Sequence, residues 1–168
     1  NGDTQIVLMP KFDGLSLLHN ETTGEAWSRG GAENEGQDCT KHCIAANIHS
    51  NTDYHYTYGE FIISRKSWEA NFNGKKSQYT GEPYKSPRNT AAGFLNRDEP
   101  CNEIKYASFF RYGIDAAAIS EFKTFDKVIA KLCTDFNQEP LFKLVQAKKA
   151  AESSMLALFK SWSLLYPI

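Results

Sequence analysis

An α+β fold, with antiparallel sheets and flanking helices, is the architecture this sequence predicts. Three observations carry that reading. Runs rich in aromatic and β-branched residues, such as "HYTYGEFII" and "YASFFRYGI", recur through residues 1–115. A polar turn cluster, "HNETTGEA", separates two short apolar runs closely enough to make a hairpin. From about Thr124 the apolar period becomes helical, so residues 116–168 read as a helical part.

The elements follow in order. "TQIVLM" and "LSLLH" are apolar runs too brief for helices and read as short buried strands, broken by "PKFDG". "AWSRG" is the returning strand of the hairpin, and "HYTYGEFII" is the next strand. "SRKSWEANF" reads as a short helix with Ser64 as its N-cap. "SPRNTAAGFL" opens with Ser86 then Pro87, the usual N-cap and first-turn pairing, and Ala91–Ala92 favour helix after it. "YASFFRYGI" is a further strand. Phe125, Val128, Ile129 and Leu132 then fall at helical spacing, as do Leu141, Leu144 and Val145. Leu158, Phe159, Trp162 and Leu165 form a third apolar stripe, and all three stripes read as core.

The bulk composition bounds the function. The 168 residues suit one domain with a real core, and 41% hydrophobic with 23% charged residues is globular. No apolar run approaches the length of a membrane span, and no signal-peptide pattern opens the chain. Cys39, Cys43, Cys101 and Cys133 are too sparse for a secreted disulfide scaffold, so a reducing cytoplasm is the expected location. A formal charge of −1 gives no general pull toward nucleic acid, which leaves local patches such as Lys75–Lys76 or Lys143–Lys148–Lys149. A first residue of Asn rather than Met suggests a fragment, a processed product or an engineered boundary.

Several residues are candidates for chemistry. In "PKFDG", Lys11 is either part of a solvated turn or a nucleophile. An amine attacks only when neutral, and the apolar flanks would desolvate it, whereas Asp13, on the same side of a strand, would stabilise the ammonium. Arg29 ends a strand before a glycine-containing loop that lets backbone amides approach an anion. Glu60 lies beside a glycine on a strand, where its carboxylate would accept from ribose hydroxyls. Arg88 sits in the first turn of a helix, an anion site by side chain and dipole together. "CTKHC" with His49 and His55 matches no closed zinc pattern, and no P-loop string is present. "FNGKKSQYTGEPYKSP" is an aromatic and basic loop, solvated or in contact with nucleic acid.

In their order, "PKFDGLSL", "SRGGAENEGQDCT", "YGEFIISRKSWE", "KSPRNTAAGFL" and "FFRYGI" resemble the adenylation (nucleotidyltransferase) domain of the NAD-dependent DNA ligases of bacteria and their phages. The P-R-N-x-A-A-G string is the most specific, since ATP-dependent ligases and capping enzymes are not expected to carry it. The resemblance covers nearly the whole chain, the C-terminal third by pattern rather than motif. It implies a truncated nucleotidyltransferase fold, with 1–168 a partial adenylation domain. It also implies that Lys11 attacks the adenylyl phosphorus of NAD to form lysyl-AMP, with Asp13 and Gly14 completing the motif. Arg29 would contact the ribose–phosphate end or DNA phosphate, Glu60 the ribose, and Arg88 phosphate or the DNA strand. AMP would pass to a 5′-phosphate at a nick in double-stranded DNA, with Mg2+ neutralising phosphate charge.

The chain departs from that family in places. Met9 stands where a glutamate usually contacts adenine, and Arg29–Gly30–Gly31 replaces an arginine–glycine–aspartate run. Phe94–Leu95–Asn96 follows the "AAG", with Arg97 one place after the family's usual arginine. The chain ends at "SLLYPI", where a D-G-x-V-x-K motif is expected, and lacks the family's N-terminal nicotinamide-gripping module. The resemblance therefore implies a ligase completed by a second polypeptide or a missing segment. A non-catalytic nucleotide- or DNA-binding module and a structural reuse of the fold are the rival expectations.

Overall fold

A hairpin grown into a four-stranded antiparallel sheet, in the order β3-β2-β4-β5, organises the chain. The computed structural model describes residues 4–29, 36–147, 150 and 152–168. Strand β2 (Leu15–Asn20) turns back into β3 (Ala26–Ser28), pairing Leu18 with Trp27. The Asn20 side chain makes that turn by accepting from the backbone N–H groups of Thr22 and Thr23. Strand β4 (Tyr56–Ile62) lies on the other side of β2, and β5 (Ser108–Ile114) beyond it. A bulge between Tyr58 and Gly59 shifts the register against β5.

Period-two alternation gives this sheet two different faces. Leu17, Ala26, Phe61 and Phe109 turn into the main core, which α1 (Thr40–Ala45), α2 (Arg65–Asn71) and α3 (Pro87–Leu95) cover with Cys43, Trp68 and Phe94. Both expected caps form: Ser64 accepts from the N–H of Ser67, and Ser86 from that of Asn89. A 3₁₀ turn over Asn102–Tyr106 adds Ile104. The short α4 (Ala116–Ile119) and then α5 (Phe125–Asp135) follow, and α5 packs Val128 and Leu132 against Ile114 and Tyr54. Phe125 is exposed, so it does not share the core role of its stripe.

A buried ion pair ties these parts together. Arg111 of β5 donates from Nε to Glu21 Oε1 at 2.7 Å and from its terminal nitrogen to the His49 carbonyl at 2.8 Å. Thr57 Oγ1 also donates to Glu21 Oε1, and His19 Nδ1 lies 3.1 Å from the same oxygen. The guanidinium rests 3.7 Å from the Phe136 ring centroid. The Gln138 side chain brackets the Arg111 backbone, accepting from its N–H and donating to its carbonyl.

The structure corrects three expectations. β1 (Gln5–Leu8) does not pair with β2; it forms a separate two-stranded antiparallel ribbon with β6 (Lys143–Gln146) and is only partly buried. Leu144 and Val145 are thus strand rather than helix. Asn137 ends the α5 stretch in the left-handed region at φ 50°, and Pro140 then keeps Glu139 out of helical backbone. The last stripe does form a helix, α6 (Glu152–Ser163), but it has no buried residue, and Phe159 is 51% exposed. Among the described residues, no helix is long and apolar enough to cross a membrane.

Candidate functional site at Lys11

Lys11 sits in a loop, not a strand, between the β1–β6 ribbon and β2. The flanking residues hold that loop. Pro10 is buried, and Phe12 is buried with its ring centroid 4.5 Å from that of Phe110 and 5.5 Å from that of Tyr166. The Asp13 N–H donates to the Pro167 carbonyl at 2.8 Å. Gly14 is pressed against β4: a Cβ there would lie 2.4 Å from the Phe61 carbonyl oxygen and 2.5 Å from an Ile62 methyl. Any side chain would push the loop off the sheet. Between these anchored neighbours Lys11 is exposed, and among the described residues no carboxylate pairs with it.

Lys11 opens onto a cleft of about 740 Å³, whose walls include Gly14, Arg29, Glu60, Arg88 and Tyr112. The candidate residues thus come together from the loop before β2, the end of β3, the middle of β4 and the first turn of α3. Arg88 reaches across from α3 and donates from one terminal nitrogen to Asp13 Oδ1 at 2.9 Å and to the Gly14 carbonyl at 2.8 Å. Asp13 is therefore engaged by Arg88.

Glu60 lies opposite Ser16 on β2 and accepts from the Tyr112 hydroxyl at 3.3 Å. Burial raises its carboxyl above the ordinary range. The Tyr112 hydrogen bond, the Gly14 backbone and the charges of Arg88 and Lys11 offset that only in part. Arg29 follows β3 directly; its N–H donates to the Ser16 carbonyl at 3.2 Å, and it is exposed at the cleft edge. The glycine loop expected after it, Gly30–Gly31, lies outside the described residues, as does the Lys148–Lys149 pair.

No protein-family model and no curated protein matches this sequence.

Sequence reasoning missed Tyr112. The bulge in the β4–β5 pairing brings it beside Glu60, and a bulge has no signature in "FFRYGI" beyond the glycine. Met9, expected where a carboxylate would meet adenine, does line the cleft. Cys39 and Cys43, weighed as metal ligands, lie in the main core, where burial pushes the Cys43 thiol up to about 12. Among the described residues, no group of three or more His, Cys, Asp and Glu side chains gathers as a metal site.

Proposed function

We propose that this chain is the nucleophile-bearing part of an NAD-dependent DNA ligase with a nucleotidyltransferase fold. One observation carries the reading: Lys11, Arg29, Glu60 and Arg88, far apart in sequence, line a single cleft. Lys11 Nζ attacks the adenylyl phosphorus; an N–P bond forms, the P–O bond to nicotinamide mononucleotide breaks, and the amine proton passes to solvent. Glu60 accepts from the ribose hydroxyls, and Arg29 neutralises phosphate charge. Arg88 holds Asp13 and the Gly14 carbonyl, fixing the loop behind the lysine. The adenylyl group then moves to a 5′-phosphate in nicked duplex DNA, and the 3′-hydroxyl displaces AMP to seal the strand.

The described donor set does not fit a resident metal, because no cluster of ligands gathers and Asp13 is committed to Arg88. Magnesium would arrive with the substrate phosphates, as is usual for this ion.

The test is the intact mass of the native and denatured protein before and after NAD with magnesium. A gain of one AMP from NAD but not ATP, lost on Lys11→Ala, supports the reading. A second reading, a nucleotide- or DNA-binding module without turnover, is favoured by Met9 in the cleft wall. AMP or nicked-DNA binding with no covalent adduct would select it.

A further inference from the structure

Helix α3 has a second face. Arg88 and Leu95 turn to the Lys11 cleft, whereas Asn89, Thr90, Gly93 and Phe94 line a separate groove of about 440 Å³. Its other wall is the aromatic and basic loop noted in the sequence, which folds as a built turn. Ser77 N–H donates to the Glu82 carbonyl at 2.9 Å and Tyr84 N–H to the Lys75 carbonyl at 3.1 Å, with Lys76 and Pro83 bridged antiparallel between them. The Tyr84 ring stands edge-on to Phe72, centroids 5.0 Å apart.

Several groups of this groove are unused by the protein itself. The turn's pairing occupies the Glu82 carbonyl and the Tyr84 N–H, so alternation directs the Pro83 carbonyl and the Lys85 N–H outward. Neither has a hydrogen-bond partner among the described residues, and Ser86 continues the extended backbone at φ −161°, ψ 162°. Thr90 is 5% exposed, and its Oγ1 has no partner; Arg97 Nε has none either, although the guanidinium lies 4.2 Å from the Tyr79 ring centroid. Among the described residues no carboxylate pairs with Lys85 or Arg97. A Cβ on Gly93 would meet nothing within 4 Å, so no packing contact requires a glycine in that helix.

Charge and spacing select the occupant. Lys85 precedes and Arg97 follows the nine residues of α3, so the two cations are separated by about 14 Å of helix. Glu82 is the one acid lining the groove, which leaves an excess of positive charge. One small oxyanion cannot span that length, but two carboxylates four residues apart on one face of an extended strand are about 13 Å apart. A nucleic-acid strand fits less well, because Arg97 covers one face of Tyr79 and Tyr84 is braced on Phe72. We propose that this groove docks an extended acidic segment of a partner protein. Its backbone pairs with Pro83 and Lys85, and two of its carboxylates, four residues apart, reach Lys85 and Arg97. The groove lies on the other face of α3 from Lys11, so the partner leaves the cleft open, and the inference does not depend on what the cleft binds.

The test titrates fluorescein-labelled peptides into the full chain and reads fluorescence polarisation. Gly-Glu-Ser-Val-Ser-Glu-Gly places both glutamates on one face of a strand, and Gly-Glu-Ser-Val-Glu-Ser-Gly places them on opposite faces. The first binds, and the second binds about tenfold more weakly or less. Lys85→Gln and Arg97→Gln each weaken the first by roughly tenfold, the usual effect of losing a charge-assisted hydrogen bond. Gly93→Leu fills the groove from a position whose Cβ meets no protein atom, so binding is lost while the melting temperature holds. Should Arg97→Gln fail to fold, Lys85→Gln at an exposed position carries the charge test. The proposal is overturned if the first peptide shows no saturable binding up to about 1 mM, if the two peptides bind alike, or if Gly93→Leu binds as wild type does. It is equally overturned if single-stranded oligothymidylate or inorganic phosphate binds in a manner lost on Gly93→Leu and the peptide does not bind.

Discussion

Replacing Glu21 by Gln removes a charge while keeping the shape of the buried pair with Arg111. Glu21 is 0% exposed and Arg111 4%, so the stranded guanidinium has no water to turn to. Its remaining partners are the His49 carbonyl, Thr57 Oγ1 and the Phe136 ring. Breaking one side of such a pair costs about 3–5 kcal/mol, a large part of the roughly 5–15 kcal/mol that holds a domain together. At about 2–4 °C per kcal/mol for a chain of this size, the melting temperature falls by roughly 6–20 °C.

Thermal and urea unfolding followed by circular dichroism measure the loss, and Arg111→Met supplies the partner for a double-mutant cycle. The double variant should be no less stable than Glu21→Gln alone, since the uncompensated charge is gone. A fall under about 2 °C, or strictly additive losses in the cycle, would refute the reasoning. The same pair predicts a pH signature. Burial pushes the Glu21 carboxyl up, but the His19 contact, the Arg111 charge and the Thr57 hydrogen bond outweigh it and hold it below its ordinary 4.5. Its stabilisation is complete above the unfolded value and is lost as pH falls through the lower folded one. Wild type should therefore lose stability below pH 4.5 more steeply than Glu21→Gln does.

Other expectations concern the cleft and its supports. Arg88→Met leaves the melting temperature within a few degrees, because the exposed pair with Asp13 is worth about 0–1 kcal/mol; freeing the loop slows Lys11 adenylation by up to about a hundredfold in time-resolved intact mass. AMP binding strengthens as pH rises from 4.5 through the raised value of Glu60, because the ribose hydroxyls need an ionised acceptor; calorimetry on Glu60→Gln should lose that dependence. Ser86→Ala removes the cap of α3 and costs about 1 kcal/mol, which differential scanning calorimetry reads as roughly 2–4 °C.

What the sequence revealed was local. Ser64 and Ser86–Pro87 mark helix starts because a cap is a bond between a side chain and an amide three residues on. The β2–β3 hairpin was legible for the same reason, since its turn is written by Asn20. Leu144 and Val145 were misread because a four-residue segment with only two apolar side chains takes its form from its partner, and that partner is β1, distant in the chain. Apolar spacing identified α6 as a helix but could not say what its apolar face meets: Trp162 packs against the Phe12–Phe110 cluster, while Met155, Leu156 and Phe159 stay exposed. Within the cleft, residue types pointed to Lys11, Glu60 and Arg88. The Arg88–Asp13 pair and the bulge that delivers Tyr112 are products of packing, which no spacing encodes.

The hold on Pro167 and Leu165 makes residues 165–168 a clasp. The Leu165 carbonyl accepts from the Arg65 N–H on α2, and the Pro167 carbonyl from the Asp13 N–H. Tyr166, between them, bears on Phe12. The segment that follows α6 is thereby tied both to α2 and to the loop that carries Lys11.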